Sequence, residues 1–326
     1  MRTPYVVLAA CSALLLACGG GSAAGGSTAT YATGGTVCVA GPDGIPLIEN
    51  VGRLTAVRTP DADFDALIAE AEAGWEARGT LEGTEAAIDA WERAILAPTP
   101  EGADRSAILA GVFTDLAKAY YWLAHAHVRY EGDEARMLAL YETGVACGGN
   151  AIALGNEGWN RAMLYETPIP DAVDVLGVDD VPAVYWYATN LGRWGLLRGI
   201  ATVLSRVNDI YALMSTVESL DDGYFYNATN RYFGVYYTKL PFGNPDVDQA
   251  ERRLQACIQA HPEYLETRVL YAYDWGIVTQ DRATAEQQLQ LVIDADLDAA
   301  PELRPENENA QRRARQLLDE LDEIFR

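Results

Sequence analysis

Basic side chains are scarce in this chain. Of its 326 residues, 24 are Lys or Arg against 47 Asp or Glu, a formal net charge of −23. Only Lys118 and Lys239 are lysines, and neither follows a glycine, so the Gly-Lys of a phosphate-cradling loop is missing. Without a basic face, no nucleic-acid partner is expected. Histidine is nearly as rare, with three residues. His125 and His127 stand two apart, and on a helix such residues point about 200° from each other, so they do not share one metal ion. His261 precedes Pro262 at a helix end, where a cation suits the dipole. No serine or cysteine sits in a nucleophile motif. The pairs Asp179-Asp180 and Asp221-Asp222 precede helical patterns and read as caps more readily than as acid and base. Neither catalysis nor a metal or other cofactor is expected.

Long apolar runs are also few. Arg2 followed by the apolar stretch Tyr5 to Leu16 has the length of a signal peptide and is too short to span a bilayer. It ends in Leu15-Leu16-Ala17-Cys18, which resembles the bacterial lipobox, whose cysteine is diacylated after cleavage before it. Leu8-Ala9-Ala10-Cys11 has similar letters with too little apolar sequence ahead of it. Residues 1–17 thus read as a lipoprotein signal peptide and 18–60 as a lipidated, flexible tether with an irregular segment. Two acyl chains give stable membrane attachment. Gly19 and Gly20 supply no aspartate retention signal, so the expectation is outer-membrane anchoring that faces the periplasm. Export would leave Cys38, Cys147 and Cys257 in an oxidising compartment. Three thiols allow one internal bridge at most, Cys38 with Cys147 being one pairing and buried single cysteines an equal reading.

Alternating strand patterns are missing, and with nearly half the residues hydrophobic a real core is expected. From about residue 60, helix follows helix. Phe64, Leu67, Ile68, Ala71 and Trp75 recur at helical spacing behind Asp61 or Asp63 as cap. Ala87, Ile88, Trp91, Ala94 and Ile95 form a second stripe, and Ile108 to Leu123 a third. A fourth, through Met137 and Tyr141, is expected to stop at Gly148-Gly149. A loop is expected over roughly 155–180, with helices resuming at Val181. The fold expected for 61–326 is all-α.

The helices repeat. Ala87-Ile88-Asp89-Ala90-Trp91-Glu92-Arg93-Ala94-Ile95 fits the second helix of a tetratricopeptide unit. Ala250 to Ile258, followed by Pro262, has the same spacing, and Met137 to Val145 is a degenerate copy. Units of this kind bury their faces by stacking antiparallel helix pairs.

Further on, Pro182-Ala183-Val184-Tyr185-Trp186-Tyr187-Ala188 and Asn190-Leu191-Gly192-Arg193-Trp194 resemble the T-component family of TRAP transporters. Phe233-Gly234-Val235-Tyr236-Tyr237 with Leu240-Pro241, Val269 to Ala272, Gln280-Asp281-Arg282 and the closing stretch from Asn307 to Leu318 extend the likeness. It covers about 65 to 326, while Val39 to Pro60 has no counterpart. The resemblance implies periplasmic lipoproteins with irregular tetratricopeptide-like repeats, accessory and non-catalytic, that engage the importer's soluble substrate-binding component. It also implies homo-oligomers, trimers in one case, and a channel for an apolar or organic-acid ligand.

Aromatic residues crowd the third quarter. The candidate ligand groove comprises Tyr185, Trp186, Asn190, Arg193 and Trp194 from one segment. Arg231, Tyr232, Tyr236 and Tyr237 face them from the other. Tyrosine offers an apolar face with a polar tip, and an arginine can pair with a carboxylate. Alternatives of other classes are a ligand-free cell-envelope scaffold and an all-α polysaccharide hydrolase or lyase. The latter needs two converging carboxylates that no spacing here predicts.

Overall fold

The structure is a computed structural model and describes residues 37–38, 51–239 and 245–325. All belong to one compact unit, Thr36–Arg326. The expected signal peptide, Cys18 and the tether lie outside the described residues, as does the Leu240-Pro241 motif.

Among the described residues every regular element is helical. A short α1 (Val51–Leu54) leads to α2 (Phe64–Glu76), α3 (Leu81–Leu96), α4 (Arg105–Trp122) and α5 (Glu134–Gly155). The short α6 (Glu157–Leu164) and α7 (Ile169–Ala172) precede α8 (Val181–Arg198) and α9 (Ile200–Leu220). Then come α10 (Tyr224–Thr238), α11 (Val247–Ala260), α12 (Glu266–Leu270) and α13 (Gly276–Thr279). The last are α14 (Arg282–Ile293), α15 (Arg304–Asp319) and α16 (Leu321–Ile324). No described helix is long and apolar enough to cross a membrane.

Part of the acidity serves the helix starts, where orphan amides and the dipole favour a carboxylate. Asp63 accepts the Ala66 N–H at 3.1 Å, Asp104 that of Ser106 at 2.9 Å and Asp133 that of Arg136 at 2.9 Å. Asp180 and Asp221 act one step earlier than expected. Asp180 takes the Gly177 N–H at 2.9 Å and the Asn156 amide at 2.7 Å, and Asp221 takes the Gly223 N–H at 3.1 Å. Both bind loops that approach a helix, not the helix itself.

Successive helices pack as hairpins: α2 on α3, α4 on α5, α8 on α9, α10 on α11 and α14 on α15. The three stripes read as second repeat helices fall in α3, α5 and α11, each the second member of its hairpin. In α3, Ala87, Ile88, Trp91, Ala94 and Ile95 are all buried, with Trp91 at 4% exposure and its ring 6.0 Å from that of Trp75 in α2.

Two expectations fail for one reason. Gly148-Gly149 does not end its helix; α5 runs on to Gly155. A Cβ on Gly148 would stand 2.8 Å from the Tyr187 Cα, so the glycine is there to let α8 press against α5. The 155–180 segment is not a loop but forms α6, α7 and two 3₁₀ turns. Asn156 caps α6 by accepting the Trp159 N–H at 2.9 Å, and Trp159 is 1% exposed. Pro170 sits at the start of α7, where a proline is tolerated. In both places tertiary contact overrides the local signal.

Cys38 and Cys147 form a disulfide, with Cα atoms 4.9 Å apart, that ties the segment before α1 to the middle of α5. Cys257 is free and buried in α11.

Candidate functional site

The end of α4 is irregular. It continues as a π-helical turn, Leu123–His127, and a 3₁₀ turn, Val128–Glu131, closed by Gly132 in the left-handed region at φ 73°. A second π turn, Tyr271–Trp275, follows α12. Such turns are rare within α-helices and frequent at functional sites. Here they display His125, Arg129 and Tyr273 toward α8, α12 and α15.

Three arginines gather around that point. His125 is buried, stacks on Tyr121 with centroids 5.1 Å apart, and places its Nε2 3.8 Å from Glu266 Oε1. Burial holds this imidazole well below its ordinary pKa, and the positive charges of Arg193, Arg129 and Arg313 push the same way. Arg313 donates from Nη1 to Glu266 Oε1 at 2.7 Å. Its Nε and the Glu266 Oε2 are both buried without a hydrogen-bond partner. Arg129 is also depressed, by burial first and then by Arg313 and Arg193. Among the described residues, neither Arg129 nor Arg193 has a carboxylate within 4.0 Å. Arg193 lies instead beside the Tyr121 and Tyr141 hydroxyls. Burial raises the Tyr141 pKa and leaves that phenol neutral.

An aromatic wall adjoins these charges. Trp186 meets Tyr121 at 5.5 Å, Tyr185 at 4.9 Å and Phe225 at 5.1 Å between centroids. Phe225, Tyr226 and Asn227 take φ of 46°, 58° and 54°, left-handed backbone that non-glycine residues adopt only when the surroundings impose it. Arg231 supplies the imposition. It donates to the Phe225 carbonyl at 2.6 Å and to the Tyr226 carbonyl, and its guanidinium lies 4.3 Å from the Tyr264 ring centroid. The Cys257 thiol donates to the same Tyr226 carbonyl at 3.3 Å.

The nine residues expected to line one groove therefore divide. Tyr185, Trp186 and Arg231 meet in the aromatic wall, with Arg193 at its charged end. Asn190 is fully buried and gives both amide protons to carbonyls, Ala117 at 3.0 Å and Trp186 at 2.8 Å. Tyr232, Tyr236 and Tyr237 are only half-buried and cluster with Tyr211 and Phe233, where Tyr211 meets Tyr236 at 5.4 Å. Trp194 is half-buried beneath Arg198, in a stretch of chain that also exposes Leu196 and Ile200. Two hollows among the described residues are water-sized. One of about 20 Å³ lies between Trp122, His127, Pro305 and Arg312, and one of about 10 Å³ lies near Tyr273, Leu317 and Phe325.

His127 points away from His125. Its Nε2 lies 3.1 Å from both Thr84 Oγ1 and the Arg78 carbonyl. His261 caps α11 between Glu263 at 3.0 Å and Asn227 at 2.8 Å.

Sequence reasoning missed Arg129, Arg313, Glu266, Tyr121 and Tyr141. The one local signal was the stretch from His125 to Arg129, which was weighed for a metal and not for its arginine.

With this geometry in hand, comparison supplies the class. A family model described as TRAP transporter T-component matches residues 95–325, more than two thirds of the chain. The molecule is thus of the class of all-α accessory components of solute importers. The chain belongs to the TRAP transporter T-component family. No curated protein matches the chain.

Proposed function

We propose that this protein is a periplasm-facing lipoprotein that assists a TRAP-type importer by docking on its soluble substrate-binding subunit and carrying an apolar or organic-acid ligand. The observation that carries the reading is the family match over residues 95–325. Cys18, at the end of the lipobox-like run, is the lipid anchor, and the Gly/Ser/Ala tract after it is the tether to the outer membrane. The chemistry is binding and not catalysis. The half-buried Tyr232, Tyr236 and Tyr237 offer apolar faces with polar tips to a partner or ligand, as interface residues do, and Trp194 offers part of its ring, its Nε1 being buried. A homo-oligomer, a trimer by family likeness, is part of the reading.

The test is capture of the soluble substrate-binding subunit of a TRAP importer from the same organism. Tyr236→Ala and Trp194→Ala should weaken capture more than they lower stability. Equal capture by wild type and both variants would overturn the reading. A second reading, a ligand-free scaffold, is favoured by the interlocking of Tyr185, Trp186 and Asn190 and by the water-sized hollows. It predicts capture with no solute bound.

A further inference from the structure

The cluster around His125 is out of charge balance. Arg129, Arg193 and Arg313 bring three positive charges, Glu266 brings one negative charge, and Arg313 and Glu266 satisfy each other. Two guanidiniums remain, in a protein whose acidic residues outnumber its basic ones by 47 to 24. Holding like charges together out of bulk water is unfavourable unless a counter-charge joins them. Elsewhere in the molecule buried or half-buried arginines have their partners. Arg78 holds Glu306 at 2.9 Å, Arg253 holds Glu218, and Arg231 holds backbone carbonyls. Among the described residues, Arg129 and Arg193 have no carboxylate within 4.0 Å, and Arg193 has only the Tyr121 hydroxyl as hydrogen-bond partner.

The surroundings suit a ligand. Arg313 is 5% exposed, and its Nε is buried and unpartnered, a donor without an acceptor. Protein surrounds Arg193 closely, yet the residue keeps some solvent exposure, as does Arg129. The Tyr121 hydroxyl accepts from Arg193 and keeps its own proton to donate, the Tyr141 hydroxyl lies close by, and the Trp186 ring forms an apolar side. A π turn and the 3₁₀ turn after it place His125 and Arg129 here, where a regular α4 would rotate them elsewhere. Guanidinium pairs with flanking hydroxyls recognise oxyanions through parallel, charge-assisted hydrogen bonds.

We propose that Arg129, Arg193 and Arg313, with Tyr121 and Tyr141, form a binding site for a small oxyanion, with Trp186 favouring one that carries an apolar body. This names the site for the ligand-carrying part of the proposed function and rests on it; docking on the importer's subunit stands or falls separately.

The full chain, purified in detergent, is tested with succinate and with inorganic phosphate against sodium chloride at equal ionic strength. Either oxyanion should raise Tm beyond chloride, and the better one identifies an organic or an inorganic source. Arg193→Gln and Arg129→Gln should each weaken binding by about tenfold or more. A second readout reports the place. His125 faces Tyr121 on its own helix, Arg129 after it, Arg193 on α8, Glu266 on α12 and Arg313 on α15. An anion bound among them should move the His125 NMR titration midpoint upward and leave that of His261 in place. If Arg193→Gln does not fold, the His125 shift in wild type decides alone. No Tm rise beyond chloride, a rise undiminished in both variants, or an unmoved His125 overturns the proposal. Capture of the substrate-binding subunit by Arg193→Gln should equal wild type, which separates failure here from failure of the docking reading.

Discussion

The Tyr120 hydroxyl of α4 donates a 2.7 Å hydrogen bond to Glu92 Oε1 of α3, and both residues are buried, at 4% and 5% exposure. Burial raises the Glu92 pKa above its ordinary 4.5, while the bonds from Tyr120 and the Val37 N–H offset part of the rise. A carboxyl with a raised folded pKa contributes stability that is complete below the unfolded value and is lost as pH climbs through the folded value. Glu92→Gln keeps an acceptor for Tyr120 and cannot ionise. It should unfold at higher urea than wild type at neutral pH and show a flatter pH profile. Equal slopes for the two proteins between about pH 4 and 8 would remove Glu92 from the account.

Trp91 anchors the first hairpin against Trp75. Trp91→Ala should lower unfolding free energy by about 3–5 kcal/mol, the usual loss for a buried aromatic. Urea titration measures it. A loss below about 1 kcal/mol would place this ring outside the α2–α3 contact.

The disulfide Cys38–Cys147 closes a loop with a sequence separation of 109. Loops of this size restrict the unfolded chain strongly, so Cys38→Ser should cost about 2–4 kcal/mol. Reduction of wild type with dithiothreitol should reproduce the loss, and Cys38→Ser should be indifferent to it. A variant still sensitive to reductant would contradict the pairing.

Two glycines give opposite expectations. Gly148→Ala forces a methyl against the Tyr187 backbone and should destabilise by about 1–3 kcal/mol. Gly111, exposed in α4 with nothing within 4 Å of its missing Cβ, should gain about 0.5–1 kcal/mol as alanine. Thermal melts of the two variants, run together, should move in opposite directions.

The stripes of α2, α3 and α4 were legible because each helix buries one face, and a 3.6 period records that directly. Gly148 was misread because its reason lies on α8, at Tyr187, and no local pattern carries it. Arg231 looked like a carboxylate ligand; its guanidinium is taken by the carbonyls of a left-handed turn that only the folded chain contains. The arginine cluster was invisible for a further reason. Its members sit on separate helices, and a π turn, which has no sequence signature of its own, sets the rotation of His125.

The link between Cys38 and Cys147 also decides where force enters the molecule. Tension reaching the folded unit along the chain ahead of residue 38 crosses that covalent bond into the middle of α5. There α5 is clasped by both α4 and α8. The hairpin of α2 and α3 joins this path one residue earlier, through the Val37 N–H held by Glu92, but that hydrogen bond yields where a covalent link does not, so α5 bears the greater strain.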